Sequence, residues 1–596
     1  MLAERKVLAE PKVIETDVLV IGSGGAGSRA AIEVARNGLA VLITTKGVSG
    51  KSGDTPSADM DINVPSRDAK EIFGLDGDIM DTPDSFAQDI FQAGKYMNNE
   101  EVVLTLCTNA SKYVKELIDW GMDITGLTQG PGHKFPRGIA STGRSMMSAL
   151  KRGMRQYKID LAEYTMVTNL LTRNGRVVGA VGINIRSGDL LVIRAKAVIL
   201  ATGGAMRLYP LVTAAEELTG DGMFIAYQAG AELVDMEFPM FLPACVYWPE
   251  SMKGVIFPYV FSTVVGGWWL NRFGERFIEK WDPTRMERDT TRDIAAIAQS
   301  MEISRKRGGQ HGGIFVSFKH IPDEIMEYSA RVCPWWPNFI YGQFNLLEFD
   351  MDPRKVAYEA GPAAHYWNGG VKVNGKGETS VPGLYAAGEV QGGTQGANRL
   401  AGNGVAECLV FGALAGSSAA AYVKDAPEPD IDGAQVDMYC EQICRPLSQK
   451  TGSDVFEFRK RIQDTASDYI GPIRDKHGLV SCIGEIEKLN DEAVHQTIKN
   501  KGKVFNSEWV LALENEVMLR ILEIVTRASV LRKESRGALY RTDYPDTDNK
   551  DWLKNIIITN RNGQVSLETK PVVTSRLQLP KPEKVPYLGS SKRRFT

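Results

Sequence analysis

Gly22-Ser23-Gly24-Gly25-Ala26-Gly27 follows an apolar run at residues 17–21 and precedes a helical pattern at 28–36, and this strand–turn–helix decides the fold. A glycine turn between a strand and a helix leaves backbone N–H groups free and aims the positive end of the helix dipole at one point, where a pyrophosphate binds. A further strand pattern at 39–44 completes a β-α-β order, which supports the motif more than glycine spacing alone does. A second glycine-rich stretch lies far away in the chain. It runs from Pro382-Gly383-Leu384-Tyr385-Ala386-Ala387-Gly388-Glu389 to Gly396-Ala397-Asn398-Arg399-Leu400. Two such stretches can build one dinucleotide site.

Outward from there, residues 84–120 carry helical periodicity that ends at Gly121. Residues 176–204 change to short β-rich runs that deliver Ala201-Thr202-Gly203-Gly204. From about 240 to 350 the chain is rich in aromatic, Pro and Met residues and holds no second phosphate loop. Residues 384–423 rejoin the nucleotide fold and close with an Ala/Gly-rich helical stretch, after which 426–433 reads as a linker. The expected architecture is α/β. A discontinuous Rossmann-type domain (1–240 and 351–425) carries an inserted α+β capping domain (241–350), then a helical domain (435–545) and an extended C-terminal segment (546–596).

At 596 residues the chain needs more than one core. A net charge of -3 and a pI near 6.2 give no support for binding nucleic acid or an anionic membrane. The seven cysteines (Cys107, Cys245, Cys333, Cys408, Cys440, Cys444 and Cys482) are scattered, which suits a reducing compartment. Only Cys440 and Cys444 are close, and two buried thiols explain them better than a redox or metal pair. No apolar run reaches the ~18 residues of a membrane span, and the first 15 residues lack the continuous apolar stretch of a secretory signal. The expectation is a cytoplasmic protein with no metal site of its own. Electrons beyond its cofactor would then pass through a partner or a soluble reductant.

More motifs stand in order along the chain: Thr219-Gly220-Asp221-Gly222, Met236-Glu237-Phe238, Asn271-Arg272-Phe273-Gly274-Glu275-Arg276, Thr291-Arg292-Asp293, His365-Tyr366, Gly369-Gly370, Ser535-Arg536-Gly537 and Tyr540-Arg541-Thr542-Asp543. Together with the glycine stretches they resemble the flavoprotein subunits of the succinate dehydrogenase and fumarate reductase family, which includes L-aspartate oxidase, over nearly the whole chain. The resemblance implies FAD. It implies cofactor contacts from Gly22, Ser23, Gly24, Gly25, Ala26 and Gly27, from Thr45, Lys46, Ser52, Gly53 and Thr55, and from Ala201, Thr202, Gly203 and Asp221. Later in the chain it adds Gly388, Glu389, Arg399, Gly404 and Val405. Lys46 replaces the acid expected at the end of the second strand. Family members often attach FAD through a histidine that precedes a threonine. Here Asp54 precedes Thr55, so the expected FAD is non-covalent.

The resemblance also implies catalytic roles for Arg292, as proton donor or acceptor, and for His365 and Arg399, as a clamp on a carboxylate or carbonyl. Plainer roles compete with these: an ion pair of Arg292 with Asp289 or Asp293, a core histidine at 365, and a flavin or backbone anchor at 399. Departures from the family pattern fall in the substrate pocket. Where members acting on fumarate or succinate carry a histidine, this chain has Leu242. Their Thr-Glu-x-x-Arg, which binds a second carboxylate and relays protons, aligns with Tyr259, Val260 and Thr263. A small dicarboxylate loses a polar partner at each place, and a buried unpaired charge is costly. Met240, Tyr247, Trp248, Trp268 and Trp269 add aromatic and apolar character, with Tyr247 or Tyr259 as a candidate source of a proton.

The expected function is hydride transfer between flavin N5 and an activated carbon–carbon bond of a small-molecule substrate less polar than fumarate. Two rivals stand beside it: an amino-acid oxidase like L-aspartate oxidase, and an electron-transfer subunit docked on an iron–sulfur or other redox protein through the basic tail 581–594.

Overall fold

The computed structural model describes residues 10–332 and 350–587. Cys333, part of the capping segment and the end of the basic tail lie outside the described residues.

The central sheet explains the glycine motifs. Strand Lys12–Ile21 pairs in parallel with Val41–Thr44 on one side and with Leu190–Leu200 on the other, and Leu384–Ala386 pairs in parallel with Leu190–Leu200. Val18, Leu19 and Val20 are all fully buried, as expected of a strand covered on both faces. The registers Ile21↔Leu200 and Leu200↔Ala386 bring three strand ends side by side. Gly22, Ala201 and Ala387-Gly388-Glu389 therefore leave one sheet edge together, although a long stretch of chain separates the first from the last.

The helix Gly25–Arg36 packs on the 21-residue helix Asn403–Val423. With a mean hydropathy of 1.4 the latter is long and apolar enough to cross a membrane, contrary to the expectation that no such run exists. It is mostly buried in the nucleotide-binding core, where its apolar residues meet those of the first helix.

A four-stranded antiparallel sheet, in the order Pro239–Trp248, Ala357–Trp367, Ile314–Ser317 and Trp268–Leu270, builds the cap. Its core includes Leu242, Trp269, Ile314, Tyr358 and Ala363. The expected end of the cap at residue 350 is thus displaced to Trp367, because strand pairing with Pro239–Trp248 holds that segment. The segment 546–596 is likewise not simply extended. Lys554–Arg561 and Gln564–Pro571 form a hairpin that pairs with Leu233–Val234 of the nucleotide-binding part. Fully buried ion pairs tie this region down: Arg532 bonds Glu237 at 2.7 Å and Glu534 at 2.8 Å, and Arg536 bonds Glu534 at 2.7 Å.

Candidate active site

The three strand ends open onto a cavity of about 730 Å³ that continues beneath the cap. At its nucleotide end stands the glycine turn. Gly22 has a φ of +109°, and a Cβ there would sit 2.1 Å from the Ala201 carbonyl oxygen, so only glycine lets the two strand ends approach. Thr55 Oγ1 accepts from the Gly25 N–H at 3.1 Å and pins the turn. Gly24 caps the helix without a side-chain bond, which leaves its first N–H groups facing the cavity.

Lys46 lines this end, but its ammonium is already engaged. It bonds Asp221 at 2.7 Å, Glu514 at 2.8 Å and Thr219 at 2.9 Å. Burial alone would lower its pKa, and the two carboxylates overcome this and raise it. Lys46 therefore positions Asp221. One Asp221 oxygen, Oδ1, is buried without a partner, as is Thr202 Oγ1. Paired acceptors and hydroxyls facing a cavity suit the hydroxyls and phosphates of a nucleotide, so these residues fit FAD.

Glu389 accepts from the Trp367 N–H at 2.9 Å; burial first, then the charge of Asp54, pushes its pKa up to about 8. Asp54 accepts from the Ala215 N–H at 2.6 Å and is raised to about 6, mainly by burial and then by Glu217 against that hydrogen bond.

Under the cap, Arg292, His365 and Arg399 converge on the same cavity. Arg292 opens the helix Arg292–Ser304, with Nε donating to Tyr259 Oη at 3.4 Å and Nη1 buried without a partner. Neither acid suggested as its ion-pair partner holds it. Asp293 is bonded by Lys95 at 2.9 Å and by the Tyr587 hydroxyl at 2.7 Å, and Asp289 is exposed at the cavity rim.

Arg399 lies 4.1 Å above the Tyr366 ring, whose hydroxyl donates to buried Glu407 at 2.8 Å. Its Nε is also buried and unpartnered, and burial plus the charge of Arg292 lower its pKa. His365 bonds Thr213 at 2.7 Å and Arg399 at 3.1 Å. Both ring nitrogens are thus occupied. His365 touches Arg399 within the cavity lining.

Every other expected site residue lines the cavity except Gly27. A Cβ on Gly27 would lie 1.9 Å from the Gly22 carbonyl oxygen, so its part is to let the helix touch the strand. The substrate end is walled by Leu242, Ile256, Tyr259, Val260 and Thr263, and the Thr263 hydroxyl is spent on the Val260 carbonyl at 2.8 Å. Tyr247 is not part of this wall. Its hydroxyl donates to the Pro362 carbonyl at 2.8 Å, and Tyr247 and Trp248 line a separate cavity, which removes Tyr247 as a proton source. Met240 and Trp269 are buried packing, and Trp268 stacks on His320. Sequence reasoning missed Thr213, Glu217 and Asp61, none of which stands in a motif.

Comparison with known proteins bears directly on this arrangement. Residues 17–405 match the family described as FAD binding domain, and 459–586 match the fumarate reductase flavoprotein C-terminal family. The chain belongs to the fumarate reductase and succinate dehydrogenase flavoprotein family. A fumarate reductase (CoM/CoB) subunit from Methanothermobacter marburgensis is 34% identical over 93% of this chain and 98% of its own length. The fumarate reductase flavoprotein subunit of Mycobacterium tuberculosis H37Rv is 29% identical over 94% and 97%. Among solved structures, Sdh1 of Mycobacterium smegmatis in complex with UQ1 superposes with a TM-score of 0.83 at 29% identity, covering 95% of this chain and 96% of that one. This flavoprotein is accordingly an FAD-dependent oxidoreductase of the class acting on CH–CH bonds.

Proposed function

We propose that the flavoprotein reduces an activated alkene, or runs the reverse dehydrogenation, on a substrate that carries one carboxylate or carbonyl and is otherwise less polar than fumarate. The observation that carries this is the pair Arg292 and Arg399. These guanidinium groups share a cavity with no carboxylate in ion-pair range among the described residues, and each keeps a buried nitrogen without a partner. An uncompensated pair of buried cations is costly by itself, and an anionic or strongly polarised oxygen relieves it. The lining residues Leu242, Ile256 and Val260 carry no charge to meet a second carboxylate.

Bound FAD supplies or accepts hydride. Ser23, Gly24, Gly25 and the start of the helix Gly25–Arg36 would hold its phosphates, and Asp221 and Glu389 its hydroxyl groups. Arg399, oriented by His365 and the Tyr366 face, would hold the activating oxygen and withdraw charge from the double bond. Arg292 would place its proton on the carbon next to the one that receives hydride, the cap excluding bulk water. The names of the relatives as subunits support a second chain as electron donor or acceptor.

The test is anaerobic reduction followed by mixing with fumarate, aryl alkenoates or simple enones while flavin absorbance is followed. Reoxidation by a bulky alkene, slowed about 10²–10⁴-fold by Arg292→Lys, is the expected result. Faster reoxidation by fumarate than by any bulkier acceptor overturns the substrate assignment. Copurification of a second chain with its own visible absorbance tests the partner.

A further inference from the structure

The helix Arg292–Ser304 opens with two residues that face different ways. Successive positions on a helix lie about 100° apart. Arg292 lines the cavity, whereas Asp293 does not line it and has a wholly buried side chain. Lys95 Nζ lies 2.9 Å from Asp293 Oδ2, and the Tyr587 hydroxyl lies 2.7 Å from the same oxygen. Tyr587 Oη is also 2.6 Å from the Gly537 carbonyl oxygen. Burial alone would raise the pKa of Asp293, but the charge of Lys95 and the bonds from Lys95 and Tyr587 hold it down at about 2. Asp293 is therefore a carboxylate near neutral pH.

Its partners come from distant parts of the chain. Among the described residues, Lys95–Asp293 is the one ion pair that joins the cap to the rest of the molecule. The cap's other pairs, such as Arg276 with Glu287 and Arg307 with Glu302, close within it. Lys95 stands in a turn where it and Tyr96 have φ of +55° and +65°. Residues with a side chain rarely adopt this left-handed conformation, and it persists where surrounding contacts impose it. Here the Lys95 carbonyl accepts from Arg536 Nη1 at 2.8 Å, and the Gly94 carbonyl accepts from the Ala397 N–H at 2.9 Å. The Ala397 carbonyl accepts in turn from the Ala538 N–H at 2.8 Å. Ala397 stands two residues before Arg399. One knot of backbone thus carries Arg399 directly and, through Asp293, the start of the helix that presents Arg292.

We infer that Asp293, held by Lys95 and Tyr587, is a positioning residue that ties the start of the cap helix to the segment carrying Arg399 and so fixes the spacing of the two guanidinium groups. The inference rests on the proton-donor role of Arg292 proposed above. The chain enters and leaves the cap through the strands Pro239–Trp248 and Ala357–Trp367, which pair with each other. The contacts of Asp293 with Lys95 and Tyr587 add a restraint that this strand pair does not supply. Proton transfer to carbon needs the donor within hydrogen-bond reach of its target, and a displacement of about 1 Å costs about 10²-fold in rate. Lys95, Asp293 and Tyr587 do not line the cavity, so they act through Arg292 and not on substrate.

The kinetic test uses the FAD-loaded full chain and the best alkene acceptor from the panel. Lys95→Met removes the cation and leaves every residue of the cavity lining in place. It should lower kcat for the alkene about 10²-fold, with KM and the rate of reoxidation by ferricyanide, which needs no carbon protonation, within about threefold of the parent. Lys95→Arg should recover most of the rate. Lys95→Met combined with Asp293→Asn should be no slower than Lys95→Met alone, because the two residues share one interaction. Equal loss with alkene and ferricyanide overturns the proposal, as does a Lys95→Arg variant as slow as Lys95→Met.

A second readout needs no substrate. Backbone hydrogen exchange of the helix Arg292–Ser304, followed by mass spectrometry, should quicken at least about tenfold in Lys95→Met and about threefold in Tyr587→Phe, with the helix Gly25–Arg36 unchanged as internal control. Tyr587→Phe keeps the ring and removes only the hydroxyl, so it reports on the tether even where Lys95→Met does not fold. Exchange unchanged in every variant that folds, or quickened equally in Gly25–Arg36, overturns the tether. Quickened exchange confined to the cap helix, with no alkene in the panel reduced, supports the tether and sinks the alkene-reductase reading instead.

Discussion

Arg399 donates from Nη2 to Nε2 of His365 across 3.1 Å, and this one contact fixes the state of the histidine. A guanidinium only donates, so Nε2 must be bare and the ring proton must sit on Nδ1, facing Thr213 Oγ1 at 2.7 Å. Burial, and then the charges of Arg399 and Arg292, hold His365 well below the ordinary histidine range. A neutral ring that accepts on one side and donates on the other can be mimicked by an amide. His365→Gln should therefore bind an alkenoate within a few-fold of the parent. His365→Ala, which leaves a donor of Arg399 unmet, should weaken binding by about 1–3 kcal/mol. Titration of the flavin spectrum with ligand measures both; equal damage from the two variants would show that the ring does something an amide cannot.

Fumarate discrimination should reside in the cap. Leu242→His combined with Thr263→Arg puts two hydrogen-bonding groups into a wall that now has none free, because the Thr263 hydroxyl is bonded to its own helix. The double variant should gain at least about tenfold in fumarate-dependent flavin reoxidation, equal to about 1.4 kcal/mol. No gain would mean that the wall does not set the preference.

The flavin should come off without bond cleavage. Asp54 occupies the position before Thr55, and its carboxylate is bonded to the Ala215 N–H, so no nucleophilic side chain is offered there. After acid precipitation all yellow colour should stay in the supernatant with the mass of intact FAD. Flavin retained on the pelleted chain would contradict this.

Stability should fall as pH rises from about 4 to 8 through Asp235. Burial, and then the neighbouring charge of Glu237, push its carboxyl up to about 8, despite Asn555 and Arg532. A carboxyl with a raised folded pKa favours the native state below its unfolded value near 3.9. That advantage is lost progressively up to the folded pKa and is gone above it. Asp235→Asn, which keeps an acceptor for the Asn555 amide at 2.9 Å, should flatten this slope and melt higher than the parent at pH 8.5. Parallel melting curves against pH for the two proteins would rule out Asp235 as the source.

Much of the nucleotide site was legible because its requirements are local. Gly22 must adopt a positive φ beside Ala201, and Thr202, Gly203, Gly388 and Glu389 each follow a strand, so short motifs mark them. Lys46 was legible as a position but not as a role, since its partners Asp221 and Glu514 lie far along the chain. Tyr247 misled because a tyrosine near a pocket in sequence carries no sign of which way it turns; here it bonds Pro362 in another cavity. The end of the cap at Trp367 and the hairpin after residue 553 depend on pairing with distant strands, which composition does not reveal.

By itself, then, the sequence determined the dinucleotide fold, the family, the FAD cofactor and the loss of charge at Leu242, Val260 and Thr263, because each is written in residue types at fixed spacing. Only the tertiary structure decided that Arg292 and Arg399 share one cavity without a counter-ion among the described residues, and that His365 bonds Arg399. These are relations between side chains on separate sheets and helices. Their energies depend on distance and burial, which arise when the cap closes over the three strand ends and water is excluded between them.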